Sequence, residues 1–242
     1  MVKTLNDFSE LEKNRKGYLT KELRQMASRI RSSMFVDQAD ADELLKRVQI
    51  HEPQRKPIVS DTFEVIGQAL VHRQRVRIVY YSESKKEETR RIVSPMRLNY
   101  YRNRWYLDAW CHERGALRSF NVENIRYADI MQMGVKVVPM KTVEAELDRY
   151  YGMYRSGDLQ WARIRFAGAA SKIASQVVWH PDQMELWLKD DLYELTIPYS
   201  GNSPELVGDI LRYGPAAKVV EPESLKNQVR EALEASLKNY SK

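Results

Sequence analysis

The segment RWYLDAWCHERGALRSF, residues 104–120, reads as two short strands, RWYLDAWCH and ALRSF, joined by the charged, glycine-containing turn ERG. Aromatic and apolar residues dominate both arms, and a turn of this kind between them is a hairpin signal. Side chains in a strand alternate between faces, so Trp105 and Leu107 share one face and Tyr106 takes the other. Arg118 and Phe120, two apart, also share a face: a guanidinium that can fork a phosphate beside a ring that can stack a base. If Trp105 and Leu107 are core, Tyr106 points the opposite way, toward the surface expected to carry Arg118. The register that decides this is not fixed by the sequence.

Outward from that hairpin the texture is the same. VRIVYYS (76–82), RRIVSPMRL (90–98) and ADIMQMGVKVV (128–138) are further β-branched and aromatic runs, separated by SESKKEE, YRN and ERG. About five short strands at close spacing predict a small antiparallel barrel or a strongly bent sheet. Pro95 sits where a bulge or a strand start tolerates it. Before the sheet, Asp61 and Glu64 form a D-x-x-E capping box that opens a helix with Phe63, Ile66 and Leu70 on one side. Residues 8–55 read as helical, with Leu19, Leu23, Met26, Ile30 and Met34 in a helical period and a second short period from Ala39 to Val48. Pro53 and Pro57 end that pattern.

After the sheet, a helix is expected from about Lys141 to Tyr151, then a linker RSGD at 155–158. The remainder has the order strand, helix, strand, strand, helix, strand, helix, a split βαββαβ pattern with a closing amphipathic helix. WARIRFAG, MELWLK, LYELTIPYS and AAKVVEP are its strands, and the hairpin turns around Lys189, Asp190 and Asp191. Ser203 before Pro204 marks a helix start, and Gly214 marks its stop.

The 242 residues suffice for two modest domains, and 43% hydrophobic with 30% charged residues is globular composition. No apolar run approaches the roughly 20 residues of a membrane span, and the N-terminus lacks a secretion signal, so a cytoplasmic protein without membrane attachment is expected. One cysteine, Cys111, excludes an internal disulfide, and the four histidines are scattered, so no metal site or cofactor is expected. GxSxG, GxxxxGK[ST], HExxH and GxGxxG motifs are absent. Cys111 and His112 are neighbours in a strand and therefore point to opposite faces, which argues against a nucleophile and base pair. No catalytic residue is assigned.

The net charge of +6 is concentrated. Residues 72–126 hold thirteen Lys and Arg against six Asp and Glu, a surplus of +7, while the rest of the chain is nearly neutral. Tyr80, Tyr81, Tyr100, Tyr101, Trp105, Tyr106, Trp110 and Phe120 lie in the same segment. Guanidinium groups mixed with flat rings bind phosphates and stack bases. On composition alone a second reading stands beside this one: the rings are core and the arginines a solvated face.

The hairpin, with VSPMRL before it and VENI after it, resembles the WYL domain family, named for the tripeptide at Trp105, Tyr106 and Leu107. The order carries the resemblance: a Tyr strand at Tyr80, Ser-Pro-x-x-Leu at 94–98, the tripeptide, then Arg-x-Phe at 118–120. LRYGPAAKVVEPESL looks like the extension that follows such domains. The resemblance implies an α+β chain: a helical linker and dimerisation segment at 1–60, an Sm-like or SH3-type small β-barrel at 61–140, a linker helix at 141–160 and a ferredoxin-like βαββαβ extension at 161–242. It also implies the ligand-sensing and dimerising part of a bacterial transcription regulator, a homodimer that binds nucleic acid or nucleotide, including single-stranded DNA, on the barrel. Carried over by position, Tyr80, Arg91, Tyr106, Arg118 and Phe120 match the family, as does Pro95. Arg97, Tyr101 and Arg104 join them by charge and location.

Two positions depart from the family pattern. Tyr101 stands near where many members have His, and Asn124 precedes Ile125 where Arg is common; both remove a potential cation, a role that Arg102, Arg104 or Arg126 can fill. No winged recognition helix is legible in the first 55 residues. The expectation is therefore either a regulator whose DNA contact lies in a missing winged helix, or a stand-alone accessory protein that binds single-stranded nucleic acid or an effector complex, for example in phage defence.

Overall fold

The computed structural model describes residues 3–4, 49–50, 60–83, 85–102, 104–155 and 158–240. The chain divides into two units, Met1–Lys56 and Pro57–Lys242. In the first, a short antiparallel ladder pairs Lys3–Thr4 with Gln49–Ile50; the helices expected between 8 and 55 lie outside the described residues.

The second unit opens with helix α1 (Ser60–Val71), one residue ahead of the expected capping box, so that Asp61 falls in the first turn. Strands β1 (Gln74–Ser82), β2 (Glu87–Tyr101), β3 (Arg104–Cys111), β4 (Ala116–Asn121) and β5 (Ile125–Gly134) follow in an antiparallel sheet of order β4-β3-β2-β1-β5. β2 serves two partners. Its first half pairs with β1 and its second half with β3, and Val93 stands opposite both Val76 and Cys111. The ladder slips between Pro95 and Arg97, leaving Met96 as the extra residue of a bulge. A proline fits there because its missing N–H breaks no regular ladder bond.

The bulge bends the sheet enough to bring β1 to β4, three strands away: the rings of Tyr80 and Phe120 meet edge-on at 5.2 Å. No ladder joins the marginal strands β4 and β5, so among the described residues this is a bent open sheet and not the closed barrel expected from the strand count. The physical reason is that a buried side-chain core holds the curl together. Val76, Ile78, Val93, Leu107, Ala109, Cys111 and Phe120 line the inner face, and α1 lays Ile66 and Ala69 against them. On the outer face, α2 (Met140–Leu147) packs Val143 and Leu147, one helical turn apart, against Met96 and Leu117. α2 stops at Leu147, short of the expected Tyr151. Asp148 is drawn into ion pairs with the sheet, and the Tyr151 N–H donates to the Pro198 carbonyl at 2.9 Å.

The C-terminal part comprises β6 (Leu159–Ala167), α3 (Ala169–Ser175), β7 (Met184–Lys189), β8 (Leu192–Ser200), α4 (Pro204–Leu211), β9 (Ala217–Glu221) and α5 (Glu223–Lys238). Its antiparallel sheet has the order β9-β6-β8-β7, so the first strand lies between the last and the third. Tyr193, Leu195, Ile197 and Tyr199 alternate along β8 onto the face that carries Ile164 and Phe166, the period of a half-buried strand. Ser203 caps α4 by accepting from the Leu206 N–H at 3.3 Å, with Pro204 in the first turn, as its sequence foretold.

Leu107 is fully buried at the centre of the inner face, whereas Leu188 on β7 is exposed. Leu107→Ala is expected to lower unfolding stability by about 2–5 kcal/mol, and Leu188→Ser to change it by less than about 0.5 kcal/mol. Urea titration followed by circular dichroism measures both.

Candidate functional site

The ladder sorts the eight residues singled out in the sequence onto two faces. Directly opposed residues of an antiparallel pair share a face. Tyr80 stands opposite Thr89, Arg91 opposite Ile78, Arg118 opposite Ala109 and Phe120 opposite Leu107, so these four belong to the inner face. Arg97 stands opposite Asp108, Tyr101 opposite Arg104, and Tyr106 opposite Asn99 and Asn121, which puts Arg97, Tyr101, Arg104 and Tyr106 on the outer face. Trp105 and Leu107 are on the core side and Tyr106 is opposite them, as the alternation predicts. Tyr106 therefore does not share a surface with Arg118. The one-residue slip at Met96 and the β3–β4 register decide this, and neither is readable from the sequence.

On the inner face, Phe120 is a core ring and is covered, so it offers no free surface for a base. Tyr80 is half-buried against it, and burial raises its phenol pKa, opposed by hydrogen bonding to Asn121 and Asn124. Arg91 is half-buried and donates to Thr89 Oγ1 at 3.3 Å. Arg118 is exposed, and neither it nor Arg91 makes an ion pair among the described residues. Arg91 and Arg118, each two residues along its strand from Thr89 or Phe120, thus share the face of the Tyr80–Phe120 contact without an ion pair among the described residues.

The outer face is tied up internally. Asp108 is fully buried on β3 and accepts from Arg97 Nε at 2.8 Å, Asn99 Nδ2 at 2.8 Å, Ser119 Oγ, and Arg155 Nη1 at 3.2 Å. Arg97 and Arg155 also reach Asp148. Arg97, read from the sequence as a ligand residue, is therefore half of a structural network, held by Asp148 as well as Asp108. A second network joins the β2–β3 turn to the C-terminal part. Arg102 forks Asp209 of α4 at 3.0 and 2.7 Å and donates to Tyr151 OH at 2.9 Å, while Tyr151 OH donates to Asp209 at 2.6 Å. Glu205, one turn earlier on α4, accepts from the N–H groups of Met153 at 2.7 Å and Tyr154 at 3.1 Å. Gly152, at φ +74°, is required here: a Cβ would fall 2.0 Å from Glu205 Oε2 and 3.6 Å from Tyr101 OH. Burial, then the Glu205 carboxylate, pushes Tyr101 up to about 12 and also raises Tyr106, where Arg104 opposes. Arg104 itself lies 3.8 Å from Glu123.

Asp108, Tyr151, Arg155, Glu205 and Asp209 are not among the residues the sequence marked, and Arg102, marked there as a substitute cation for a ligand, is instead paired with Asp209. Asp108 carried a signal: an acid inside a β-rich run is disfavoured unless it is paired. The partners at 155, 205 and 209 carried none, because only the docking of distant segments brings them in. Cys111 and His112 behave as the alternation requires. The buried thiol faces the core, and His112 Nε2 meets Ser94 Oγ at 2.9 Å.

With this geometry in hand, comparison with known proteins is direct. The WYL domain profile matches residues 61–130, from α1 into β5, and the WCX domain profile matches residues 158–237, from β6 into α5. The chain carries a WYL domain followed by a WCX domain. Its WYL part is 32% identical over 66 residues to the DNA-binding transcriptional repressor CapW of Escherichia coli, covering 27% of this chain and 22% of CapW. PafC of Mycobacterium tuberculosis is 28% identical over 190 residues, 77% of this chain and 57% of PafC. The WYL–WCX chain thus spans little more than half the length of PafC. The solved structure of proteasome accessory factor B/C (PafBC) of Arthrobacter aurescens aligns with 84% of this chain and 30% of that one, at TM-score 0.36 and 20% identity. These matches indicate no enzyme family. Among the described residues no helix is long and apolar enough to cross a membrane.

Removing the Asp108 charge leaves two buried guanidinium groups short of a partner. Asp108→Asn is expected to cost about 3 kcal/mol or more in urea unfolding, against less than about 1 kcal/mol for the half-exposed Arg104→Ala. A second test uses pH. The folded Tyr101 pKa lies above its unfolded value, so its contribution to stability is complete below pH 10 and is lost as pH rises toward about 12. The late phenolate absorbance step is expected to lose one component in Tyr101→Phe.

Proposed function

We propose that the chain is the ligand-sensing part of a WYL-type transcription regulator, and that it takes a single-stranded nucleic acid or a nucleotide on the inner-face mouth of the WYL sheet. The observation that carries this reading is the pair Arg91 and Arg118. They are the cations of the expected set that make no ion pair among the described residues, and they share the inner face with the half-buried ring of Tyr80. Phosphate would go to the guanidinium forks and the edge of Tyr80 would meet a base. Phe120 supports Tyr80 from behind and is not itself a contact. Arg104 and Tyr106 lie on the opposite face, and Arg97 has a structural role.

Similarity to a protein named as a DNA-binding transcriptional repressor favours a regulatory role without catalysis. The strand order β5-β1-β2-β3-β4 behind a leading helix fits an Sm-like reading of the WYL part, and β9-β6-β8-β7 fits a ferredoxin-like reading of the WCX part. On this reading the protein works in the cytoplasm as a homodimer and passes the signal to DNA-binding elements.

Fluorescence anisotropy with a short oligothymidylate at several salt concentrations tests the proposal. Log affinity is expected to fall with log salt by roughly 0.7 per contacted phosphate. Arg118→Ala and Arg91→Ala are expected to weaken binding about tenfold or more, and Lys238→Ala on α5 to leave it unchanged. Equal binding by all three variants overturns the assignment of the inner face.

A further inference from the structure

We propose that the outer face of the WYL sheet is a second, masked anion site, and that the α4 carboxylates Asp209 and Glu205 are its built-in occupant, an autoinhibitory contact that a phosphate-bearing strand displaces. The ligand class rests on the reading above; the contact itself stands on the geometry alone.

The occupancy follows from which groups meet there. Tyr101, Arg102, Arg104 and Tyr106 combine two guanidinium groups with two phenols at one end of the β2–β3 hairpin. α4 brings Asp209 onto the fork of Arg102 and Glu205 beside both tyrosines. A bidentate carboxylate on a guanidinium, supported by a tyrosine hydroxyl, has the geometry with which arginine also takes a phosphate. With α4 seated, the three carboxylates Asp209, Glu205 and Glu123 outnumber the two guanidinium groups of Arg102 and Arg104. With α4 displaced, Glu123 is the one of these three that remains, and the face becomes a basic and aromatic surface.

Two ion-pair clusters join the WCX side to the WYL sheet, and their exposures separate a permanent bolt from a releasable latch. In the Asp108 cluster the Arg155 side chain is 8% exposed and Asp108 is 0% exposed, so breaking it strands buried charge. In the α4 cluster Arg102 is 47% exposed, so solvent and a competing anion reach its guanidinium while it is still paired. The exposed guanidinium is the releasable half of this pair; Asp209 is 9% exposed and leaves it only together with α4, which carries it. Arg102 also stands at φ +48°, the left-handed conformation that the two-residue turn between the paired Tyr101 and Arg104 demands, so the turn holds its guanidinium toward α4 whether or not Asp209 is bound. Release frees Tyr151 OH and loosens the Glu205 hold on the Met153 and Tyr154 amides. The bolt at Arg155 stays closed, so α4 and residues 151–154 move while the two sheets remain attached.

The test uses the full chain carrying Arg118→Ala, which silences the inner face, with Glu205→Gln and Asp209→Asn added singly. Glu205→Gln keeps a carbonyl oxygen to accept the two backbone N–H groups, so it removes charge with little effect on folding. Each addition is expected to raise oligothymidylate affinity about fivefold or more. Both are expected to speed amide hydrogen exchange at 151–154 and in α4, with β3 unchanged. In the unsubstituted chain, added oligothymidylate is expected to speed exchange at those same amides. The exchanged pair Arg102→Asp with Asp209→Arg is expected to restore slow exchange while abolishing the affinity gain. Unchanged exchange in both single variants overturns the latch. Faster exchange without any gain in affinity overturns the masked anion site. Neither result bears on the inner-face reading, which stands or falls on Arg91 and Arg118.

Discussion

A carboxylate with no access to water sits in the middle of the WYL hairpin, and the arrangement of the two sheets depends on it. Asp108 is carried on β3 between Leu107 and Ala109, whose side chains are committed to the inner core. Strand alternation therefore drives it into the outer face. A bare carboxylate there would be prohibitively costly, and the structure gives it two guanidinium groups, an amide and a hydroxyl. One of those guanidinium groups, Arg155, comes from the segment after α2. Satisfying a single strand residue thus fixes where the chain leaves the WYL sheet and enters the WCX part.

The concentration of positive charge in residues 72–126 acquires a different meaning from this. Three of its thirteen cations are matched by acids from elsewhere in the chain: Asp148 on Arg97, Asp209 on Arg102 and Asp129 on Arg77. Neutralisation is strongest on the outer face, where the neighbours are α2, residues 151–155 and α4. Arg91 and Arg118 make no ion pair among the described residues; their inner face meets α1 and its own core. Arginines without an ion pair among the described residues on one face and internal ion pairs on the other are consequences of one strand register.

The hairpin, the bulge-tolerant Pro95, the capping signals at Ser203 and Gly214 and the βαββαβ order were legible in the sequence because each rests on local patterns of two to four residues. A strongly bent sheet was one of the two forms expected from the strand spacing, but the place of the bend was not legible, since it takes a one-residue slip at Met96 to turn β2 from one partner to the other. Phe120 was half legible. Its type and position marked it as important, but whether an aromatic residue of a strand stacks a ligand or fills a core depends on what lies across from it, here Leu107. The acids of α4 carried no mark, because nothing in PELVGDIL announces that a tyrosine and an arginine more than fifty residues away will meet them.

The sequence by itself determined that this chain makes two small α+β sheets, that its surplus charge and many of its rings belong to the first, and that the first is a WYL domain. Alternation, turn residues and composition are one-dimensional properties, and they suffice for that. Which face each arginine occupies, which cations remain unpaired, and that the second sheet's helix lies over the first sheet's turn were decided only by tertiary structure. A shift of one residue in the ladder sends a side chain to the other face, and a buried charge takes whichever partner the fold can deliver.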